Sequence, residues 1–335
     1  MQKTIHTLLT PGKGILAADE SSGTIKKRFA SIALESTEES RRDYRDMLLT
    51  TQGYQNFISG VILYDETVDQ KSRKGPTFSE TIAARGVIPG IKTDEGKEEH
   101  PFWNPQSLTR GLNGLGKRLK EYTDRSNGTL GFTKWRQVIL VDPTPSVSFL
   151  DYAMHIMAEQ AAWSQSEGYV PICEPEILMD GSHALDQCAS VTSRTLEMLY
   201  TCMEAQQVDP ALTILKTNMV LSGKETKKDA PEDVGTATLK AFQASLPSSM
   251  PGIVFLSGGQ SSVQATENLN ACALQAKKVK APWILTFSYG RALQDDALKT
   301  WGGKNENVAA AQEAFLKRAR LNGLAQRGEY AKTME

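Results

Sequence analysis

The chain has only four cysteines in 335 residues. None forms a CxxC pair or the dense spacing of a small disulfide scaffold, so Cys173, Cys188, Cys202 and Cys272 are predicted to be reduced thiols, as in a cytosol. Histidine is equally sparse. His6, His100, His155 and His183 show no HxH or HxxxH spacing, which argues against metal catalysis. His155 falls in a helical apolar pattern and reads as a hydrogen-bonded structural residue; Met154, Met157 and Trp163, at helical spacing, read as core. A run of about 18 apolar residues is missing, so nothing is predicted to span a bilayer. The start, MQKTIHTLLTPGKG, lacks the apolar centre of a signal peptide. Charge of one sign is lacking too: 38 Lys and Arg stand against 39 Asp and Glu, a net charge of −1. That balance removes any global pull toward nucleic acid or anionic lipid. No GxGxxG, internal repeat or low-complexity tract occurs. These absences predict a soluble, globular, cytoplasmic protein with neither nucleic acid nor membrane as a partner.

What is present is a series of eight short apolar runs, each ending in polar residues: 14–21, 57–66, 87–94, 135–142, 169–176, 212–218, 252–259 and 283–290. Buried parallel strands read this way. Helical signals fill the gaps. Ser36 and Glu39 fit a capping box, the segment 148–167 stops before Gly168, and Asp229 and Pro231 open a further helix. Eight strands alternating with helices predict a single-domain (β/α)8 TIM barrel over residues 1–335; the weaker alternative is an open doubly wound sheet. At this length the folded surface scales to ~14,000 Å². The segment 94–110 is predicted to be a long loop over one end of the barrel.

Barrels place their chemistry at the C-terminal ends of the strands. Those ends carry Asp19, Lys92, Glu174 and Glu176, Lys216, Ser257 and Gly258, and then Ser288, Gly290 and Arg291. Lys134 and Arg136 are out of order, because they sit where the fourth run begins. Lys216 closes the apolar run from Leu212, so its amine should emerge from a dry wall, although most lysines are simply solvated. A desolvated amine beside another cation becomes a nucleophile, and a gain of about two pKa units is worth ~2.7 kcal/mol. Glu174 and Glu176 share one side of an extended strand, and a crowded carboxyl there can act as acid and base; for Glu176 a salt bridge to an inward cation is as good a reading. Asp19 follows small residues that leave room for a ligand, with a helix N-cap as the competing reading. The glycine-rich turns at Ser257–Ser261 and Ser288–Arg291 suit phosphate, and Ser21, Thr24 and Lys92 offer a second anion site. Lys27 and Arg28 read as solvent-facing.

The ordered set GKGILAADES, EESRRDYR, PGIKTDEGK, FTKWR, EPEIL, ILKTNMV, FLSGGQSS, LTFSYGRALQ and TWGGKNEN resembles class I fructose-1,6-bisphosphate aldolase, from Pro11 to about Tyr330. The resemblance implies a glycolytic lyase on a (β/α)8 barrel, a homotetramer that needs no metal or cofactor. The implied reaction is reversible cleavage of fructose 1,6-bisphosphate to dihydroxyacetone phosphate and glyceraldehyde 3-phosphate. It implies that Lys216 forms the Schiff base, that Lys134 helps activate it, and that Glu174 is the acid and base of carbinolamine chemistry. Asp19 then takes the C4 hydroxyl proton, with Glu176 and Arg136 as supporting charges. Ser257, Gly258, Ser288, Gly290 and Arg291 resemble the C1-phosphate grip; Ser21, Thr24 and Lys92 resemble the C6-phosphate end. Two departures stand out. Thr217 replaces the proline that follows the lysine in many relatives, and a longer tail ending in Tyr is absent after Ala331–Glu335. Another group or water is then expected to handle proton exchange on the enamine. With no transit segment ahead of Pro11, the expectation is a bacterial-type cytosolic enzyme.

Overall fold

Strand pairing follows the eight apolar runs. In the computed structural model, which describes residues 1–73 and 75–335, ten strands form. They are β1 (Gly14–Ala18), β2 (Ile58–Leu63), β3 (Ile88–Lys92), β4 (Lys97–Glu99), β5 (Ser107–Thr109), β6 (Phe132–Ile139), β7 (Val170–Ile177), β8 (Ile214–Thr217), β9 (Gly252–Phe255) and β10 (Ile284–Tyr289). Eight of them close a parallel barrel in the order β1-β2-β3-β6-β7-β8-β9-β10, so the open doubly wound sheet does not occur. The accessible surface is 13935 Å², in line with the scaling for this length.

Side chains alternate across each strand. Ile15, Ala17, Ile62, Phe132, Val170, Ile172, Ile214 and Val254 point into the barrel and pack with Ile5, Leu8 and Leu9 of the N-terminal helix and its end. This plug makes one half of the barrel interior apolar. Ser59 fastens it by donating a hydrogen bond to the Leu8 carbonyl at 2.7 Å. Their neighbours Leu16, Trp135, Cys173, Leu215, Phe255 and Tyr289 face outward and pack beneath the surrounding helices.

Several local expectations are corrected. The fourth barrel strand begins at Phe132 rather than 135, so Lys134 lies inside it. Register then explains its place: Lys134 pairs with Lys92, the last residue of β3, and two residues on Arg136 pairs with Glu174. Strand stagger around a closed barrel brings an early residue of one strand level with the last of its neighbour. The segment 94–110 is more ordered than a loop. β4 and β5 pair antiparallel there, held to β6 because Gln137 accepts from Thr109 N at 3.0 Å and donates to the Ser107 carbonyl at 2.7 Å. The helix Glu38–Leu49 is capped one residue later than predicted, by Thr37 and Ser40 in a reciprocal box. Both Ser36 and Thr37 are good cap formers, and Ser40 decides between them by bonding back to Thr37 N at 2.9 Å. The helix Val147–Ser166 ends as predicted before Gly168, whose φ of 83° takes the left-handed position. Pro231 opens the helix Pro231–Ser245. Trp163 is 42% exposed, unlike the buried Met154 and Met157.

Candidate active site

Above the apolar half, the inward positions become charged. Lys134, Glu174 and Lys216 continue the inward rows of β6, β7 and β8, and all three are more than nine-tenths buried. Lys216 Nζ lies 3.0 Å from Glu174 Oε1, and Lys134 Nζ lies 3.3 Å from Glu174 Oε2. On its other side Lys134 meets Asp19 Oδ2 at 2.5 Å and Asp94 Oδ2 at 3.8 Å. Charges therefore alternate along Lys216, Glu174, Lys134 and Asp19. Asp19 is not a helix cap; Ser21 takes that position for the helix Ser22–Ala30, accepting from Thr24 N.

Burial disfavours charge on each of these groups, and their neighbours outweigh it. For Asp19 burial raises the carboxyl pKa, but Lys134, then Lys216 and Lys92, hold it below the ordinary range. Burial would strip Lys134 of its proton, yet Asp19, Glu174 and Asp94 keep its ammonium charged far above neutral pH. Glu174 is likewise pushed up by burial and brought down by Lys216, Lys134 and Arg136. In the resting site Lys134 is thus an ammonium and Asp19 a carboxylate.

These residues line the floor of a cavity of about 710 Å³. Every site residue named from sequence reaches it: Arg136, Glu176 and Lys92 on the wall, Ser21 and Thr24 at the start of the helix Ser22–Ala30, Ser257 and Gly258 after β9, and Ser288, Gly290 and Arg291 at the end of β10 and just after it. Glu176 ion-pairs with Arg136, the salt bridge to a cation that is one of its two sequence readings. A Cβ on Gly258 would stand 2.6 Å from Glu176 Oε1 and displace that carboxylate. Ser288 Oγ is buried with no hydrogen-bond partner. It stands next to the N-terminus of the helix Arg291–Trp301, where free N–H groups attract anions. A phosphoryl oxygen would satisfy the orphaned hydroxyl.

The comparisons with known proteins fit this arrangement. The family model described as fructose-bisphosphate aldolase class-I matches residues 1–335. The chain belongs to the class I fructose-bisphosphate aldolases. It is 48% identical over 322 residues to "Fructose-bisphosphate aldolase 6, cytosolic" of Arabidopsis thaliana, covering 96% of this chain and 88% of that one. It is 44% identical over 335 residues to a probable class 1 fructose-bisphosphate aldolase of Xanthomonas axonopodis pv. citri, covering 98% of both. A crystal structure of the Plasmodium falciparum aldolase, in complex with TRAP and a small-molecule inhibitor, superposes with a TM-score of 0.94 at 43% identity, over 98% of this chain and 94% of that one.

The aldolase cavity also holds residues that sequence reasoning missed. Arg28, expected to face solvent, points inward: its guanidinium pairs with Glu20 at 2.7 Å and donates to Gln294 at 3.2 Å. A Cβ on Gly290 would stand 3.4 Å from Arg28 Nη2, so this cation adjoins the turn that follows β10. Arg28 sits six residues after Ser22 on a short helix, and only its contact with Gln294 of the helix Arg291–Trp301 reveals its direction. Asp94 holds Lys92 at 2.5 Å, and the hairpin adds Lys97 and Thr109 to the rim. The cysteines take no part. All four are buried, and burial pushes the Cys202 and Cys272 thiols up to about 11 and about 12, too high for a thiolate nucleophile at neutral pH.

Proposed function

We propose that this aldolase cleaves fructose 1,6-bisphosphate through an imine on Lys216. The observation that carries the reading is the Glu174 carboxylate placed between the Lys216 and Lys134 amines, on the floor of a cavity with anion-binding groups around its rim. Lys216 transfers a proton to Glu174, and the neutral amine attacks the ketose C2. The attacking nitrogen gives up a proton to the carbonyl oxygen, forming the neutral carbinolamine while Glu174 stays protonated. Glu174 then protonates the C2 hydroxyl, which leaves as water, and a protonated imine remains. Asp19, ionised in the resting site, takes the C4 hydroxyl proton as the C3–C4 bond breaks. That electron pair moves onto the imine nitrogen, giving a neutral enamine instead of a free carbanion. Glyceraldehyde 3-phosphate departs, C3 is protonated, and hydrolysis releases dihydroxyacetone phosphate. Lys134 stays charged throughout and supplies electrostatic stabilisation in place of proton transfer.

In this reading Ser257, Gly258, Ser288, Gly290 and Arg291 hold the C1 phosphate, while Ser21, Thr24 and Lys92 hold the C6 phosphate. Glu176 keeps Arg136 aimed at the cavity. A homotetrameric, cytoplasmic enzyme completes the proposal; relatives named cytosolic support the location, and among the described residues no helix is long and apolar enough to cross a membrane.

Arg291→Ala should raise KM for fructose 1,6-bisphosphate by ~10–100-fold, the value of one charged hydrogen-bonded contact, with kcat within a few-fold. An unchanged KM in steady-state assays would remove Arg291 from the phosphate site. The function itself is tested by incubating the chain with fructose 1,6-bisphosphate and excess EDTA. Equimolar triose phosphates should form at the rate seen without chelator. No cleavage, or cleavage lost to EDTA and restored by zinc, would defeat the proposal.

A further inference from the structure

We propose that Asp151, His155 and Cys202 form a zinc-binding site on the outer helical layer, separate from the cavity. Among the described residues this is the group of His, Cys and carboxylate side chains whose ligand atoms converge, all within 4.8 Å of one another. Nothing in the linear spacing marks it. Asp151 and His155 are one turn apart on the helix Val147–Ser166 and so share a face. Cys202 comes from the neighbouring helix, Leu185–Ala205. Gln206 ties the end of that helix to the first by donating to the His155 carbonyl at 2.9 Å.

The distances suit a tetrahedral ion. Zn–N near 2.05 Å and Zn–S near 2.3 Å at tetrahedral angles place nitrogen and sulfur about 3.6 Å apart, and nitrogen and a carboxylate oxygen about 3.4 Å apart. His155 Nδ1 lies 3.2 Å from Cys202 Sγ and 3.4 Å from Asp151 Oδ1. The third pair, the Asp151 carboxylate and Cys202 Sγ, lies within 4.8 Å, so binding draws these two ligands together around the ion. The donor set selects the metal: a thiolate disfavours calcium and magnesium, and a carboxylate disfavours copper(I), whereas nitrogen, sulfur and oxygen together suit zinc. Burial of Cys202 contrasts with half-exposed Asp151 and His155. One ligand is thereby held by packing, and the open side of the site admits the ion with a water as fourth ligand. Binding would displace the thiol proton to solvent and form the Zn–S bond, with no change in oxidation state.

The test uses the tag-free full chain, kept reduced with a phosphine, and Co²⁺ as a visible stand-in. The expected result is one Co²⁺ per chain, with thiolate-to-cobalt charge transfer in the near ultraviolet and tetrahedral bands in the visible, displaced by one equivalent of Zn²⁺. Cys202→Ala should abolish the charge-transfer band. His155→Ala, at a half-exposed position that leaves the fold alone, should weaken Co²⁺ binding by more than the ~10–100-fold typical of losing an outer-shell partner. Sugar cleavage should be unchanged in both variants, so the outcome is independent of the aldolase reading. Absence of the band in the parent chain, its survival in Cys202→Ala, or unaltered Co²⁺ affinity in His155→Ala would overturn the site. Should Cys202→Ala fail to fold by circular dichroism, the His155→Ala affinity alone decides.

Discussion

Lys216→Met is expected to lower kcat by about 10⁵-fold or more while the barrel stays folded. Losing the nucleophile of a covalent mechanism removes the imine altogether, so the remaining charges and phosphate contacts have no intermediate to stabilise. The fold should tolerate the change for a specific reason. Met has a similar length and fills irregular gaps, and Glu174 keeps Lys134 as its ionic partner at 3.3 Å, so no buried charge is stranded. Fructose 1,6-bisphosphate should still bind, since its phosphates are held elsewhere. A coupled cleavage assay with circular dichroism and ligand titration separates these effects. Residual turnover within a hundredfold of the parent chain would mean that another amine carries the reaction.

Replacing Lys134 by Met should be costly in a different way. Its ammonium is shared by Asp19, Glu174 and Asp94, and removing one partner of a buried ionic cluster leaves uncompensated carboxylates, a loss of ~3–5 kcal/mol. Turnover should drop by ~10²–10⁴-fold, because the acid and base lose their poise. The pH dependence provides the sharper signature. In the parent chain the Asp19 carboxyl is held below its ordinary value by Lys134. Its contribution to stability is therefore present above the unfolded pKa of ~3.9 and is lost as pH falls toward the folded value. Without Lys134 the largest cationic influence on Asp19 is gone, and burial should push its carboxyl upward, whereas Glu174 keeps Lys216 as its stronger cationic neighbour. Stability of the variant should then rise as pH falls from 8 toward 5, where the parent is flat. Thermal melts across that range read this directly, and parallel curves for the two proteins would contradict the assigned role of Lys134.

The barrel was legible because its strands are apolar and short, so Asp19, Glu174 and Lys216 could be placed from the polar residues that end them. Lys134 was harder to place. A run-by-run reading sees Trp135 as the start of a strand, whereas the strand begins at Phe132. The level of Lys134 in the barrel depends on stagger against β3 and β7, a long-range property with no local signal. The β4–β5 hairpin hid for a similar reason: its strands are three residues each, and their order depends on Gln137 of another strand. Arg28 and the Asp151, His155 and Cys202 cluster required helix packing directions. Trp163 fits the helical period but lies at the edge of its apolar face, where it covers Gly116 instead of entering the core.

Borohydride trapping bears most directly on imine formation. Dihydroxyacetone phosphate and the reductant are added together, the protein is digested, and the peptides are mapped by mass spectrometry. Reduction of the imine should leave a stable secondary amine carrying the triose phosphate on Lys216, with activity lost in proportion. An adduct on Lys134 instead, or an unmodified Lys216 peptide in protein that still turns over, would contradict the mechanism.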